Sequence, residues 1–330
     1  MKMKNLIFSL GLALTTAAFQ PLAGATPNFS TDTAAPGNMR FGWIHGSLSA
    51  KDNNDVRIQV HQYNQHTFIL RQNPSINWEA PFMYLIFGEK QVVLLDSGAT
   101  AEAEYFPIRE TVDAVISRWE TANGISKLPL VVLPLGSETS QTEGLGQFKD
   151  RPNTKVLLAT AAGRKSLMGD SQTVTVDLGG RKLTLLATPG IDSLAVTAYD
   201  PYTDLLFTGN TFYAGRLVIR DFAAYKASIK RLIEFTAEHP VKWAMGGRIE
   251  MSDYPGLDYR LRSNFRPREH ALQLPASMLT ECYDIVRLIN GDKDIRIHSD
   301  FIVMNGVGRG ARDYGWPTYT PEQFRKVRLR

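Results

Sequence analysis

Tyr84-Leu85-Ile86-Phe87-Gly88-Glu89-Lys90-Gln91-Val92-Val93-Leu94-Leu95-Asp96-Ser97-Gly98 is the stretch that decides the fold. Two short apolar runs flank Gly88-Glu89-Lys90, which has the composition of a turn, so the segment is predicted to be a hairpin. Val92 to Leu95 is apolar at every position, as expected of a strand buried on both faces rather than one side of an exposed sheet. That strand runs directly into Asp96-Ser97-Gly98. Polar groups at the end of a buried strand mark where layered α/β proteins place their sites.

Outward from this hairpin, strands are predicted at Val56–Tyr63, His66–Gln72, Phe82–Phe87, Leu128–Leu133 and Val156–Leu158. Further strands follow near Val174, then at Leu183–Leu186, Val196–Tyr199, Leu205–Thr208 and Val241–Met245, with a terminal pair within Ile295–Met304. Apolar residues at helical spacing predict helices over Glu104–Thr121, Ala161–Leu167, Tyr225–Ala237 and about Arg268–Leu288, and a short one lies between Leu135 and Phe148. Alternating strands and helices give an α/β layered fold. No Pro/Gly/Ser linker interrupts the chain after residue 54, so residues 55–330 read as one domain, preceded by an extended arm over 26–54.

The first residues predict an address. Lys2 and Lys4 precede an apolar run from Leu6 to Phe19, and Ala23-Gly24-Ala25 supplies an A-x-A site. This is the pattern of a secretory signal peptide over residues 1–25, with cleavage after Ala25, and it predicts a periplasmic or secreted protein. Removing the two lysines lowers the formal charge from +4 to +2. No basic block or arginine-aromatic pattern points to nucleic acid. No span is expected after signal cleavage, and a homo-oligomer is left open. The basic end, Arg325 to Arg330, reads as a solvated terminus. Cys282 is the only cysteine, so an intramolecular disulfide is ruled out, and its helical surroundings suggest a buried apolar role.

Four landmarks then carry a resemblance. They are the hairpin ending in Asp96-Ser97-Gly98, Leu185-Leu186-Ala187-Thr188-Pro189-Gly190, Leu205-Leu206-Phe207-Thr208-Gly209-Asn210-Thr211, and Met245-Gly246-Gly247-Arg248-Ile249-Glu250-Met251. In order and interval, over roughly residues 55–305, they resemble the metallo-β-lactamase superfamily. The resemblance implies a four-layer αββα sandwich with a zinc-dependent site in a groove at one edge of the two sheets.

The residues at the implied metal positions depart from that family. Its H-x-H-x-D-H segment corresponds here to Leu135-Gly136-Ser137-Glu138-Thr139-Ser140-Gln141-Thr142. The three histidine positions fall on Gly136, Glu138 and Gln141, and the aspartate position on Ser140. No histidine follows Gly190; the bridging aspartate is Asn210, and the last histidine is Arg248. The chain's six histidines, His45, His61, His66, His239, His270 and His298, all lie elsewhere. No metal and no cofactor is therefore expected. Without zinc, Asp96, Glu138 and Asp192 would repel one another or shift their pKa values upward. Arg248 offers a permanent charge on a planar fork. Its expected role is to replace the metal charge by pairing with Asp96 or Glu138; the alternative is a drifted pocket with Arg248 exposed.

Two functional readings follow. In the first, the protein is a zinc-less pseudoenzyme binding a small molecule or partner in a remodelled groove, with Trp78, Glu79, Asp96, Gln141, Asn210, Tyr213 and Arg248 around the ligand. In the second, Glu138 and Asp192, or Glu138 and Glu79, act as acid and base in a metal-independent hydrolase. Ser137 and Ser140 lack the G-x-S-x-G setting of a nucleophile, and Ser140 with Glu143 reads as a capping box for the short helix. An oxygen-only cation site from Asp96, Glu138, Gln141 and Asn210 is disfavoured by Arg248. Trp78, Phe82 and Tyr213 either wall the groove or pack inside. His61 and His66, flanking a hairpin turn, are expected to be solvated or packed.

Overall fold

The computed structural model describes residues 27–29, 34–49 and 53–312; the expected signal peptide and the basic tail lie outside the described residues. Four antiparallel strands, β1 (Ile58–Asn64), β2 (Thr67–Gln72), β3 (Phe82–Phe87) and β4 (Val92–Leu95), form a meander. Helix α1 (Ile108–Asn123) then returns the chain so that β5 (Leu130–Leu133) pairs parallel with β4, and β6 (Thr154–Val156) pairs parallel with β5. Between β5 and β6 lie the single-turn helix α2 (Thr139–Thr142) and a 3-10 segment, Glu143–Phe148.

After helix α3 (Ala161–Met168), the second half repeats the plan. The strands β7 (Thr173–Asp177), β8 (Lys182–Ala187), β9 (Val196–Asp200) and β10 (Leu205–Gly209) form another antiparallel meander. The chain continues through β11 (Arg216–Ile219) and helix α4 (Phe222–Glu238), and β12 (Trp243–Gly246) then joins β10 in parallel. Next, β13 (Gln273–Pro275) adds antiparallel to β12. Helix α5 (Met278–Ile289) leads to β14 (Asp294–Ile297) and β15 (Ile302–Asn305), which make a small third sheet with β11.

Strand alternation explains the layers. In β3 and β4, Tyr84, Ile86, Val93 and Leu95 share a core with Leu183, Leu185, Ala198 and Phe207 of the second sheet. Their neighbours Met83, Leu85, Phe87, Val92 and Leu94 pack instead with Val112, Val115, Ile116 and Trp119 of α1. The hairpin is thus apolar throughout because a sheet covers one face and a helix the other. On the far side, Tyr225, Ile229 and Leu232 of α4 and Leu279, Cys282 and Val286 of α5 join the core of the second sheet. This is the αββα sandwich the resemblance implies. Among the described residues no helix is long and apolar enough to cross a membrane.

Some local expectations change. The helix expected from about Arg268 begins only at Met278, because Gln273–Pro275 is taken by strand pairing and Pro275 cannot donate to a helix interior. The capping box is also corrected: Glu138 occupies the cap position of α2 without a side-chain cap bond, and the Ser140 hydroxyl accepts from Asn210 Nδ2 at 3.2 Å instead. β11 was not foreseen; Arg216 at its start reads as polar in sequence but is buried against Asp258 at 2.7 Å. The described parts of the arm lie along the domain. Asn38 donates to the Tyr63 carbonyl at 2.8 Å, and Gly46 bridges Phe265. His61 and His66 are both buried packing residues, His61 stacked on Phe41 and His66 accepting from Trp119 Nε1 at 3.1 Å. Cys282 is fully buried, and burial pushes its thiol up to about 12.

One buried cation ties the two sheets together. Arg181, at the foot of β8, holds Asp200 at the end of β9 through Nε at 3.1 Å and Nη2 at 2.5 Å. Its Nη1 donates to the carbonyls of His66 and Phe87, both at 2.9 Å, and Nη2 to the Thr67 hydroxyl at 2.8 Å. Both ion-pair side chains are wholly inaccessible. Removing one partner of such a pair strands the other in a low dielectric. Arg181→Met is expected to cost about 3–5 kcal/mol in urea unfolding; a loss below about 1 kcal/mol would mean that the pair does not hold the sheets.

Candidate functional site

The repeat in topology brings the site together. Asp96 follows β4, and Asn210 follows β10, each at the end of the fourth strand of its meander. Glu138 lies beyond β5, and Arg248 beyond β12, each after the strand that adds in parallel. Matching strand ends from the two sheets therefore face one another across the sandwich. Gly247 N donates to the Gly209 carbonyl at 2.7 Å, and Phe82 N to the Gly247 carbonyl at 2.8 Å, fixing the Arg248 loop against both β10 and β3.

Arg248 occupies the middle of this junction with its side chain fully buried. Nη1 pairs with Glu79, and Nη2 with Glu138 Oε2 at 2.8 Å, while the guanidinium carbon lies 5.2 Å from the centre of the Tyr213 ring. Burial alone would lower its pKa, but Tyr213, Glu250, Glu79 and Glu138 around it more than reverse that, so its charge is fixed. The pairing expected with Asp96 or Glu138 is made with Glu138, and Glu79 is the second partner. Glu138 is also held by Arg220 at 2.8 Å and by Asn210 Nδ2 at 2.7 Å. Glu79 receives the Thr139 hydroxyl at 3.3 Å and Arg309 Nη1 at 3.3 Å.

From Glu138 a chain of amides runs inward. Asn210 Nδ2 also reaches Gln141 Oε1 at 3.3 Å, and Gln141 Nε2 donates to both oxygens of Asp96, at 3.2 and 3.3 Å. Leu135 N completes the Asp96 environment at 2.7 Å. Asp96 sits at φ +63°, a left-handed conformation that Asp and Asn tolerate better than most residues. Burial raises its pKa to about 7, against the hydrogen bonds from Leu135 and Gln141 and the charges of Arg164 and Arg248. Asp192 forms a separate knot, taking the Ser137 backbone N–H, the Ser137 hydroxyl at 3.0 Å and Leu194 N at 2.9 Å.

The expected site residues therefore fall into three groups. Glu79, Arg248, Glu138, Asn210, Gln141 and Asp96 make one hydrogen-bonded network, with Ser140 attached through Asn210. Asp192 lies beside it across Gly136, where an added Cβ would come within 2.3 Å of Gln141 Oε1 and 2.8 Å of Asp192 Oδ2. Trp78 and Glu79 line an open groove. The apolar wall is corrected: Phe82 and Tyr213 are buried, and the single Tyr213 O–H lies between two acceptors, the Arg216 carbonyl at 2.7 Å and Glu250 Oε2 at 3.1 Å. Only Trp78 of the three reaches the groove, whose volume is about 520 Å³ and which Asn77, Thr100, Glu102, Thr139 and Glu143 also line.

Sequence reasoning missed Arg220, Arg309 and Glu250. Glu250 stands two residues past Arg248 in the fourth landmark, which was its one signal; the two arginines carried none. Glu250 is buried, and Arg309, Arg248 and Arg216 hold its carboxyl down to about 2 in spite of that burial.

The implied zinc centre does not fit these residues. Gly136 has no donor, Ser140, Gln141 and Asn210 are neutral groups bonded to one another, and Arg248 is a cation at the centre. Among the described residues no group of three or more His, Cys, Asp or Glu side chains is arranged to hold a metal ion.

No family model matches the chain, and no curated protein matches it. Among solved structures it is similar to a metallo-β-lactamase from Pontibacter korlensis at 16% identity and a TM-score of 0.47, covering 70% of this chain and 99% of that one. Fold and site together define an α/β sandwich in which an arginine-centred polar network fills the junction of the two sheets.

The raised pKa of Asp96 has a definite sign. The folded state keeps a proton that the unfolded state, near 3.8, has released, so stability falls as pH rises from about 4 to about 7 and is level above that. Asp96→Asn preserves shape and backbone preference but cannot ionise. Urea unfolding of the variant at pH 5 and pH 8 is expected to show the wild type losing stability to it on the alkaline side, at up to about 1.4 kcal/mol per pH unit within the window. Parallel pH profiles for the two proteins would show that Asp96 is ionised throughout.

Proposed function

We propose that this chain is a secreted or periplasmic single-domain protein of the metallo-β-lactamase superfamily that works without zinc and binds a polar small molecule in the groove beside Trp78 and Glu79. The observation that carries this reading is the Arg248 network. The positions that the resemblance assigns to metal ligands are occupied by Gly136, Glu138, Ser140, Gln141, Asn210 and Arg248, which bond to or crowd one another. What stays open is the neighbouring groove, with one indole and the carboxylates of Glu79, Glu102 and Glu143 along it. An aromatic face with a few converging polar groups is the usual make-up of a small-ligand site. The address rests on the signal-peptide pattern of residues 1–25.

The hydrolase reading has less support. A general acid or base needs a carboxyl within reach of the proton it transfers. Both oxygens of Glu138 are paired with Arg220, Arg248 and Asn210, and those of Asp192 with Ser137 and Leu194. Chelator-resistant ester or lactone turnover abolished by Glu138→Gln would favour it over the binding reading.

Two measurements test the proposal. Metal analysis of protein dialysed against zinc and then against zinc-free buffer is expected to give substoichiometric metal and a melting temperature indifferent to chelator; one or two retained zinc ions per chain would reject it. For ligands that raise the melting temperature in a panel of polar metabolites, Trp78→Ala is expected to weaken binding by about tenfold, the scale of one good aromatic contact. Ligands insensitive to Trp78 and mapping away from the groove by NMR would reject the site.

A further inference from the structure

Arg309 sits in a 3-10 turn, Arg309–Arg312, at the end of the described chain, and its guanidinium reaches the same Glu79 that lines the groove. Its contacts differ in quality from those of Arg248. Nη1 is 3.3 Å from Glu79 Oε1, Nη2 is 3.4 Å from the Tyr213 hydroxyl, and Nε is 3.7 Å from Glu250 Oε1. All three are long for charge-assisted hydrogen bonds, which close to about 2.7–2.9 Å when well formed. Neither Arg309 Nε nor Glu250 Oε1 makes a hydrogen bond, and Glu250 is 97% buried, at 3% exposure. A buried carboxylate oxygen left without a donor is rare in a folded protein and marks a seat that is incompletely filled.

The seat has a definite chemistry. Glu79 Oε1, Glu250 Oε1 and the Tyr213 hydroxyl are acceptors converging on one planar cation, and Glu102 and Glu143 extend the acidic lining along the groove that shares Glu79. Arg309 is the group now in that seat, partly buried, at long contact distances, and supplied by a single 3-10 turn rather than by a strand or long helix. Arg248, by contrast, enters from the β12 loop, is completely buried, and stays as the permanent counter-charge of Glu79 and Glu138.

We propose that Arg309 is a displaceable internal occupant of a guanidinium-binding seat formed by Glu79, Glu250 and Tyr213, and that the ligand of the groove is a small guanidinium compound that competes with it. This rests on the groove reading above and names its ligand class. An intramolecular competitor lowers apparent affinity by the fraction of time the seat is open. Removing it therefore raises affinity without any new contact.

Calorimetric titration of the full chain with agmatine, an alkylguanidinium of suitable size, tests this. Arg309→Met is expected to bind agmatine about tenfold or more tightly than wild type, as for a seat closed about 90% of the time. Adding Glu250→Gln should abolish that gain, and 1,4-butanediol should not bind. Arg309→Lys, which keeps the charge but not the fork, should show a smaller gain and carries the test if Arg309→Met does not fold. Equal agmatine affinity in wild type and both Arg309 variants would overturn the inference, and so would no agmatine binding to any of them. In either of those cases the groove reading survives if another polar ligand is still lost in Trp78→Ala, and falls with it if none is.

Discussion

The site depends on one buried cation. Arg248 carries its charge where no solvent reaches, and that is tolerable only because Glu79 and Glu138 accept from its two terminal nitrogens. The dependence runs both ways. Glu138 lies between Arg248, Arg220 and Asn210, and Glu79 between Arg248, Thr139 and Arg309, so each carboxylate is shared among donors from different parts of the chain. Loops following β5, β10 and β12 and the segment before β3 are thereby clamped to one point. Arg266 adds a brace from behind, donating to the Trp78 and Ile249 carbonyls and so fixing the loops that carry Glu79 and Arg248 relative to each other.

The charged side chains of the junction are paired with one another. A reactive carboxyl or nucleophile is recognised by an unfilled hydrogen-bonding role aimed at a space where a substrate fits. Inside the junction most of these roles are filled: amides bridge Glu138 to Asp96, and Asp192 is closed by Ser137 and Leu194, while Asn210 Oδ1 and Arg248 Nε are buried without a hydrogen-bond partner. Asp96 departs from its ordinary ionisation, and its carboxyl is buried and held by Gln141 and Leu135. A shifted pKa at that place reports desolvation, the first of its causes, more than function. Two acceptors of the site are unfilled: Asn210 Oδ1 within the junction, and Glu250 Oε1 on the Arg309 side of the network.

Much of the fold was legible because its signal is local. Continuous apolarity in Val92–Leu95 could only mean cover on both faces, and the helical spacing of Ile108, Val112, Val115 and Trp119 identified the helix that supplies one cover. The absence of histidines around Gly136–Gln141, after Gly190 and at Arg248 was equally plain. What failed were features set by distant partners. Pro275 lies in a strand because Trp243 pairs with it, and Ser140 gives up the cap because Asn210, seventy residues on, takes its hydroxyl. Arg181 and Arg309 were missed for the same reason: a lone arginine in sequence reads as surface, and only the fold puts carboxylates beside it. Tyr213 passed for a groove aromatic, but its ring is buried by contacts such as that with Gly215, whose added Cβ would meet Tyr213 Cε2 at 2.2 Å.

The network and a zinc centre exclude one another physically, and not through any single residue. Changing Arg248 to a neutral imidazole would leave Glu79 and Glu138 facing each other with their main counter-charge gone, which is unfavourable unless a metal arrives at once. A donor at Gly136 has no room, since even a methyl group there meets Gln141 and Asp192. Gln141 cannot move without freeing Asp96, which is held by it on both oxygens, nor Asn210 without uncovering Glu138. Partial reversals therefore pass through states with buried unpaired charge or overlapping atoms, both of which are unfavourable. The arrangement is thus a self-consistent alternative packing of the junction, joined to the Arg309 side through Glu79.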